Sequence, residues 1–202
     1  NVQNVQGDIS GALKSRNRTQ CDFRFETAVD PGNAGWQRDL SVSYEKIGEV
    51  QSAQDDISSA LKSYQSSMEI AERLTTSDPD NAGWQRDLSV SYDRIGDVQR
   101  AQDDISSALK SYQSSLEIRE RLVVSDPDNV DWQRDLSVSY DRIGDVQSAQ
   151  GDLSDALKSY QSSMEIAEHL VASEPGNVGW QRDLSVSYSN IGDVQSAQGD
   201  LT

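Results

Sequence analysis

A chain of 202 residues with a formal charge of -16 and a single cysteine is neither a nucleic-acid binder nor a disulfide scaffold. Phosphate neutralisation takes clustered Lys and Arg, and one thiol forms no internal bridge, which fits a reducing, cytoplasmic setting. The acidic balance disfavours anionic membrane surfaces and suits basic or mixed-charge protein partners. No apolar run nears the ~18–20 residues of a membrane span, and no signal-peptide pattern is present.

Trp36, Trp84, Trp132 and Trp180 recur every 48 residues, and Pro31, Pro79, Pro127 and Pro175 keep the same period. The copies at 36–83 and 84–131 agree at 38 of 48 positions, so the few differences carry information. A period this long marks a stacked-repeat architecture, in which neighbouring repeats bury a continuous strip of core. The expected plan is a single array over 1–202. A partial first repeat occupies 1–35, full repeats 36–83, 84–131 and 132–179, and a partial last repeat 180–202. Opening and closing in nearly the same phase, the chain reads as a segment of a longer array.

In chain order, 1–6 matches the end of a first helix and 9–15 the start of a second. From 16 to 29 the text departs from the repeat, then resumes at Asp30-Pro31 with no residue gained or lost. Two compensating frameshifts in the coding DNA, or a divergent capping helix, would each give such a block. Every full copy holds two helices. In the first, Trp36, Leu40, Ser43/Tyr44, Ile47 and Val50/Gln51 recur at three- and four-residue steps, the helical period. Asn81, Asn129 and Asn177 are placed to cap the helices that carry the following tryptophans. In the second helix, Ile57, Ala60/Leu61, Tyr64, Met68, Ala71 and Leu74 share one side. Asp56 is its expected N-cap, where a carboxylate also complements the helix dipole. The helix must end near Ser77, because the residue before Pro79 is pushed out of helical geometry. No stretch alternates like a half-buried strand, so helices, Gly-Asp or Asp-Asp turns and an Asp-Pro-Asp-Asn loop account for the chain.

Within the repeat, Tyr44-x-x-Ile47-Gly48 is followed by Asp55-Asp56-Ile57-x-x-Ala60-Leu61-x-x-Tyr64. The third full copy has Tyr140-x-x-Ile143-Gly144, then Gly151-Asp152-Leu153-x-x-Ala156-Leu157-x-x-Tyr160. This resembles the tetratricopeptide repeat (TPR), whose pattern is W-x2-L-G-x2-Y and then G, A, F/Y, A and P. Tyr44 stands at the Trp position, Ile47 and Gly48 at Leu-Gly, Ala60 at the central Ala and Tyr64 at the aromatic. Gln51 and Ser67 depart from it. The resemblance implies an all-α solenoid of stacked antiparallel hairpins in a right-handed superhelix. A TPR has ~34 residues, so the 48-residue unit carries a surplus around Pro79 that lengthens two helix ends at one edge. Trp84 is expected to wedge among those ends, near Leu74 and Leu122. Gly48, Gly96, Gly144 and Gly192 are expected to permit close helix approach.

In that family the first helices line a concave groove that binds peptides or partner helices. The matching positions here are Glu45, Lys46, Glu49 and Ser52; Asp93, Arg94, Asp97 and Arg100; Asp141, Arg142, Asp145 and Ser148; and Ser189, Asn190, Asp193 and Ser196. They are the first-helix positions that differ between copies. They would set a basic row (Lys46, Arg94, Arg142) beside an acidic row (Glu49, Asp97, Asp145). Two readings stay open: a mixed-charge peptide groove, or a solvated face whose charges pair with each other, each exposed pair contributing ~0–1 kcal/mol. A Lys/Asn carboxylate clamp is disfavoured, because the 49-type position is acidic.

Other chemistry finds little footing. Asp78-Pro-Asp80-Asn-Ala-Gly83 opens like a calcium loop but has Ala82 at the fifth position and Ser89 at the twelfth, so it reads as a turn with an N-cap. Cys21 and His169 have no partner motif for nucleophilic catalysis; His169 occupies a slot filled by Arg73 and Arg121 in other copies. No Cys/His cluster suits zinc and no phosphate loop follows a strand. No enzyme activity, metal or cofactor is expected. The expected role is a protein–protein interaction scaffold, with a self-assembling head-to-tail array or a regulatory segment of a larger multidomain signalling protein as alternatives.

Overall fold

Asp30 and residues 32–199 are described by a computed structural model. The divergent block at 16–29, with Cys21, lies outside them. The described residues form seven helices and no strand: α1 (Ala34–Ala53), α2 (Ile57–Ser77), α3 (Ala82–Ala101), α4 (Ile105–Ser125), α5 (Val130–Gln150), α6 (Leu153–Ser173) and α7 (Val178–Gln198). The fold class is an all-α solenoid of repeated helical hairpins. The chain divides into two compact units, Asn1–Ala101 and Gln102–Thr202. In the first, α2 packs against both α1 and α3; in the second, α5 packs on α4 and α6, and α6 also on α7.

The helix boundaries follow from local chemistry. Asn33, Asn81 and Asn129 each accept, through the side-chain oxygen, the backbone N–H of the tryptophan three residues on, at 3.1, 3.1 and 3.2 Å. Asn177 does the same for Trp180 at 3.3 Å. Asp56 and Asp104 cap the second helices by accepting from Ser59 and Ser107. Their equivalent Asp152 makes no side-chain cap bond. The second helices close at Ser77, Ser125 and Ser173, each just before the loop that carries the proline. Asp78 to Gly83 is the capped turn expected of it: Asn81 N–H donates to the Asp78 carbonyl at 3.2 Å.

Inside each hairpin the decisive contact is a tyrosine ring lying on a glycine backbone. A Cβ built on Gly48 would stand 2.5 Å from the Tyr64 ring, and one on Gly144 would stand 2.6 Å from Tyr160. Both tyrosines are buried. The other side of Tyr64 packs with Ala60, Ile95 and Val98, and that of Tyr160 with Ala156 and Val194. Gly192 departs from expectation: nothing lies within 4 Å of its Cβ position, because no helix among the described residues covers that side of α7. Trp84 packs beside Leu40, Ile70 and Leu74, at the lengthened helix ends, as expected of a structural tryptophan.

Buried hydroxyls thread the same interfaces. Ser41 Oγ and Ser67 Oγ are 2.8 Å apart, Ser67 and Ser91 3.2 Å, and Ser91 donates to Glu45 at 3.1 Å. In the second unit, Ser163 and Ser187 pair at 3.3 Å. The second-helix core is not apolar in every copy: where Ala71 and Ala167 stand, α4 buries Arg119, which donates to the Asp135 carbonyl at 2.8 Å and to Ser139 Oγ at 2.6 Å. Ser115, the counterpart of Ser67, is then buried with no hydrogen-bond partner for its hydroxyl.

Two stability outcomes follow. Gly144→Ala forces a methyl onto the Tyr160 ring and should lower stability by about 1–3 kcal/mol, whereas Gly192→Ala should raise it by up to ~1 kcal/mol through helix propensity; urea unfolding of both variants checks the contrast. At the turn between helices, Asp55 and Asp103 hold left-handed φ of 62° and 63°, where later copies place Gly151 at 84° and Gly199 at 79°. Asp103→Gly should therefore add about 1 kcal/mol by removing a Cβ from a left-handed conformation, read as a higher melting temperature.

Candidate functional site

The expected groove positions fall into two sets, one on each unit. In the first unit, Glu49 sits between two cations. Lys46 Nζ donates to both of its oxygens at 3.0 Å, and Arg94 reaches it from α3 at 3.0 Å. About two to three turns away on the same pair of helices, Arg38 meets Asp87 at 2.6 Å. Glu49 is therefore engaged from its own helix by Lys46 and from the neighbouring first helix by Arg94, as the solvated-face reading holds for these particular charges. Exposed pairs of this kind hold register more than they add stability.

Two expected groove residues do not face outward. Glu45 is half-buried, accepts from Ser91, and has its carboxyl pushed upward by burial, with the Ser91 bond opposing. Asp93 is 5% exposed. The helical phase turns these two positions toward the adjacent helices.

Beside these charges lies a cleft of about 200 Å³ lined by Ser52, Ile57, Tyr64, Arg94, Asp97, Val98 and Ala101. Its floor is apolar and aromatic, and its rim carries a guanidinium and a carboxylate. Ser52 Oγ stands 3.5 Å from the Tyr64 hydroxyl. Ser52, Arg94 and Asp97 were expected here; Ile57, Tyr64, Val98 and Ala101 were not. Those four recur in the repeat, so they read as core, and nothing in the sequence shows that helix ends leave one side of them open. Arg100 is exposed at the end of α3.

The second unit arranges the same positions differently. Arg142 lies over the Tyr112 ring, 5.5 Å from its centroid, a cation–π contact. Asp145 accepts from the Tyr160 hydroxyl at 2.9 Å. The Tyr160 hydroxyl is held well above its ordinary range, by burial first and then by the Asp145 charge. Where the first unit sets Arg94 against Glu49, the equivalent of Arg94 is Asn190, half-buried. Ser148 is half-buried, and Ser189, Asp193 and Ser196 are exposed on α7. Asp141 is half-buried, and its carboxyl is pushed up to about 6 by burial. A Ser163 hydrogen bond opposes that rise, while the Asp145 and Asp183 carboxylates add to it. This face is more acidic than its counterpart. His169 is exposed, 3.3 Å from the Gln133 side chain, as its slot implied.

The raised Asp141 carboxyl fixes a pH dependence. The folded chain holds that proton to about pH 6, and the unfolded chain releases it near ~4. The stabilisation is complete below the unfolded value and lost as pH rises through the folded one. Asp141→Asn should therefore stabilise the chain by about 1–3 kcal/mol at pH 7 and by little at pH 4, seen by comparing thermal unfolding at the two pH values.

The repeated helical hairpins have the fold of TPR-like helical-repeat proteins. Among solved structures the chain is similar to BtubC (BKLC) from P. vanneervenii, at 15% identity over 95% of this chain and 85% of that one, with a TM-score of 0.53. It is also similar to the yeast histone chaperone Hif1, a scaffold protein recruiting protein complexes to core histones, at 13% identity over 96% and 97%, with a TM-score of 0.55. At such identities the likeness shows the fold. No family model matches the sequence, and no curated protein matches it. Among the described residues, no helix is long and apolar enough to cross a membrane.

Proposed function

We propose that the chain is a protein–protein interaction scaffold, and that the first-helix side of its first unit receives a peptide or helix of a partner protein. The cleft beside Tyr64 supports this most directly. It offers one apolar side chain a seat against Ile57 and Val98, with Asp97 and Arg94 at the rim to fix the flanking residues. Peptide recognition commonly combines such an apolar pocket with a few oriented polar groups. A net charge of -16 favours a partner with basic residues around that anchor. The fold shared with Hif1, itself a scaffold, is in keeping with the reading.

A phage-displayed peptide library panned on the chain should yield sequences with an apolar anchor flanked by Lys or Arg. Ser52→Trp, which fills the cleft from a half-buried position, should weaken the selected peptide by about tenfold or more and leave the melting temperature in place. Arg94→Glu with Arg142→Glu should also change the selected peptides, and should cost a little stability, because Arg94 meets Glu49 and Arg142 covers Tyr112. Unchanged binding by Ser52→Trp would remove the cleft from the account.

A further inference from the structure

Tyr64, Tyr112 and Tyr160 hold one position of the repeat, yet their surroundings differ. The Tyr160 hydroxyl donates to Asp145 at 2.9 Å. Arg142 lies over the Tyr112 ring, 5.5 Å from its centroid. At Tyr64 neither arrangement holds. Glu49, the counterpart of Asp145, is engaged by Lys46 and by Arg94, each at 3.0 Å. Arg94, the counterpart of Arg142, stands where the next first helix but one has Asn190. Among the described residues the Tyr64 hydroxyl keeps one hydrogen bond, to Ser52 Oγ at 3.5 Å, a long contact for two hydroxyls.

This loosely held pair of hydroxyls borders the cleft of the first unit, whose walls are Ile57, Val98 and Ala101 and whose rim is Arg94 and Asp97. Tyr64 is buried except where it borders that cleft. Burial holds its hydroxyl above the ordinary range, so at neutral pH it stays protonated and able to donate. Arg94 adds N–H donors and Asp97 an acceptor. The walls suit an apolar body of some size, and the polar groups suit a tip that both accepts and donates. Leu and Phe bring no polar tip, and the Trp N–H only donates. A carboxylate would meet the charges of Glu49 and Asp97. Tyrosine alone joins a large apolar ring to a hydroxyl that does both.

We propose that the cleft of the first unit selects a tyrosine of the partner as its anchor, and that Arg94 sets this choice by engaging Glu49 and so leaving the Tyr64 hydroxyl to the ligand. The proposal rests on the reading of that cleft as a peptide site. The anchor's ring packs on Ile57 and Val98, and its hydroxyl accepts from Tyr64 or Ser52 and donates to Asp97. Lys or Arg on either side of it suits the chain's charge. A site built to hydrogen-bond a hydroxyl rejects the analogue that lacks it, because its own polar groups are then left unpaired.

The probes are a peptide selected from a phage-displayed library and its synthetic forms with Tyr, Phe or Leu at the anchor, titrated against the whole chain by calorimetry. Expected is a Tyr anchor whose replacement by Phe weakens binding by about three- to tenfold, the contribution of one net hydrogen bond. That change lies in the peptide and leaves the fold of the chain untouched. Tyr64→Phe keeps a ring on Gly48 and should weaken the Tyr peptide by a similar factor while sparing the Phe peptide, so the two losses do not add. Arg94→Asn with Glu49→Asp installs the residues found at 190 and 145 and should weaken the Tyr peptide likewise. Peptides that Ser52→Trp weakens but that are anchored on another residue, or that bind equally well with Phe, overturn this proposal and leave the peptide-site reading standing. No selected peptide, or peptides indifferent to Ser52→Trp, overturn both.

Discussion

How closely the two helices of a hairpin approach decides everything built on them, and here that approach is set by an aromatic ring seated on bare backbone. Tyr64 over Gly48 and Tyr160 over Gly144 leave no room for a Cβ. The ring also fills the layer toward the following first helix, against Ile95 and Val98 in one case and Val194 in the other. One side chain therefore closes its own hairpin and seats the next element. The caps and turns serve this contact: Asn at each first-helix start and Asp56 or Asp104 at the second fix where the helices begin, and hence which residue meets the glycine. Protein interiors tolerate neither voids nor overlap at such places.

Around the ring the interface is more polar than a hydrophobic core implies. Ser41, Ser67, Ser91 and Glu45 form a chain of hydrogen bonds through buried space in the first unit. Such groups are acceptable when each finds a partner. Small hydroxyl side chains also let helices come close without leaving gaps. The second unit shows what happens when the pattern is altered. Arg119 claims Ser139, and Ser115 is buried without a hydrogen-bond partner for its hydroxyl. The copies are alike in text but not in internal bonding, so a single change at the 71-type position rewires its surroundings.

The fold was legible because its signals are periodic and local. Trp84 and Leu74, the asparagine caps, the helix stop before Pro79 and the Ala60–Tyr64 spacing all follow from repeat and turn chemistry, and all stand where that chemistry puts them. What was not legible depends on neighbours in space. Hydropathy counts Ser67 and Ser91 as surface, although both are buried against partners about half a repeat or more away in the sequence. Glu45 shares the repeat's variable positions with Lys46 and Glu49, yet helical phase turns it inward. The cleft near Tyr64 uses residues that periodicity assigns to the core. Gly192 matches Gly48 in text and differs only in what lies above it.

On the first-helix side of the first unit, Glu49 is engaged by Lys46 and Arg94, so the proposed recognition would rest on shape at the cleft more than on a row of cations. All of this presumes the ring-on-glycine contact, and proton NMR reads that contact directly. The Hα resonances of Gly48 and Gly144 should be shifted upfield by the ring currents of Tyr64 and Tyr160, and those of Gly192 should lie at ordinary helical positions. Equal shifts for all three glycines, or no upfield displacement at Gly48 and Gly144, would contradict the account.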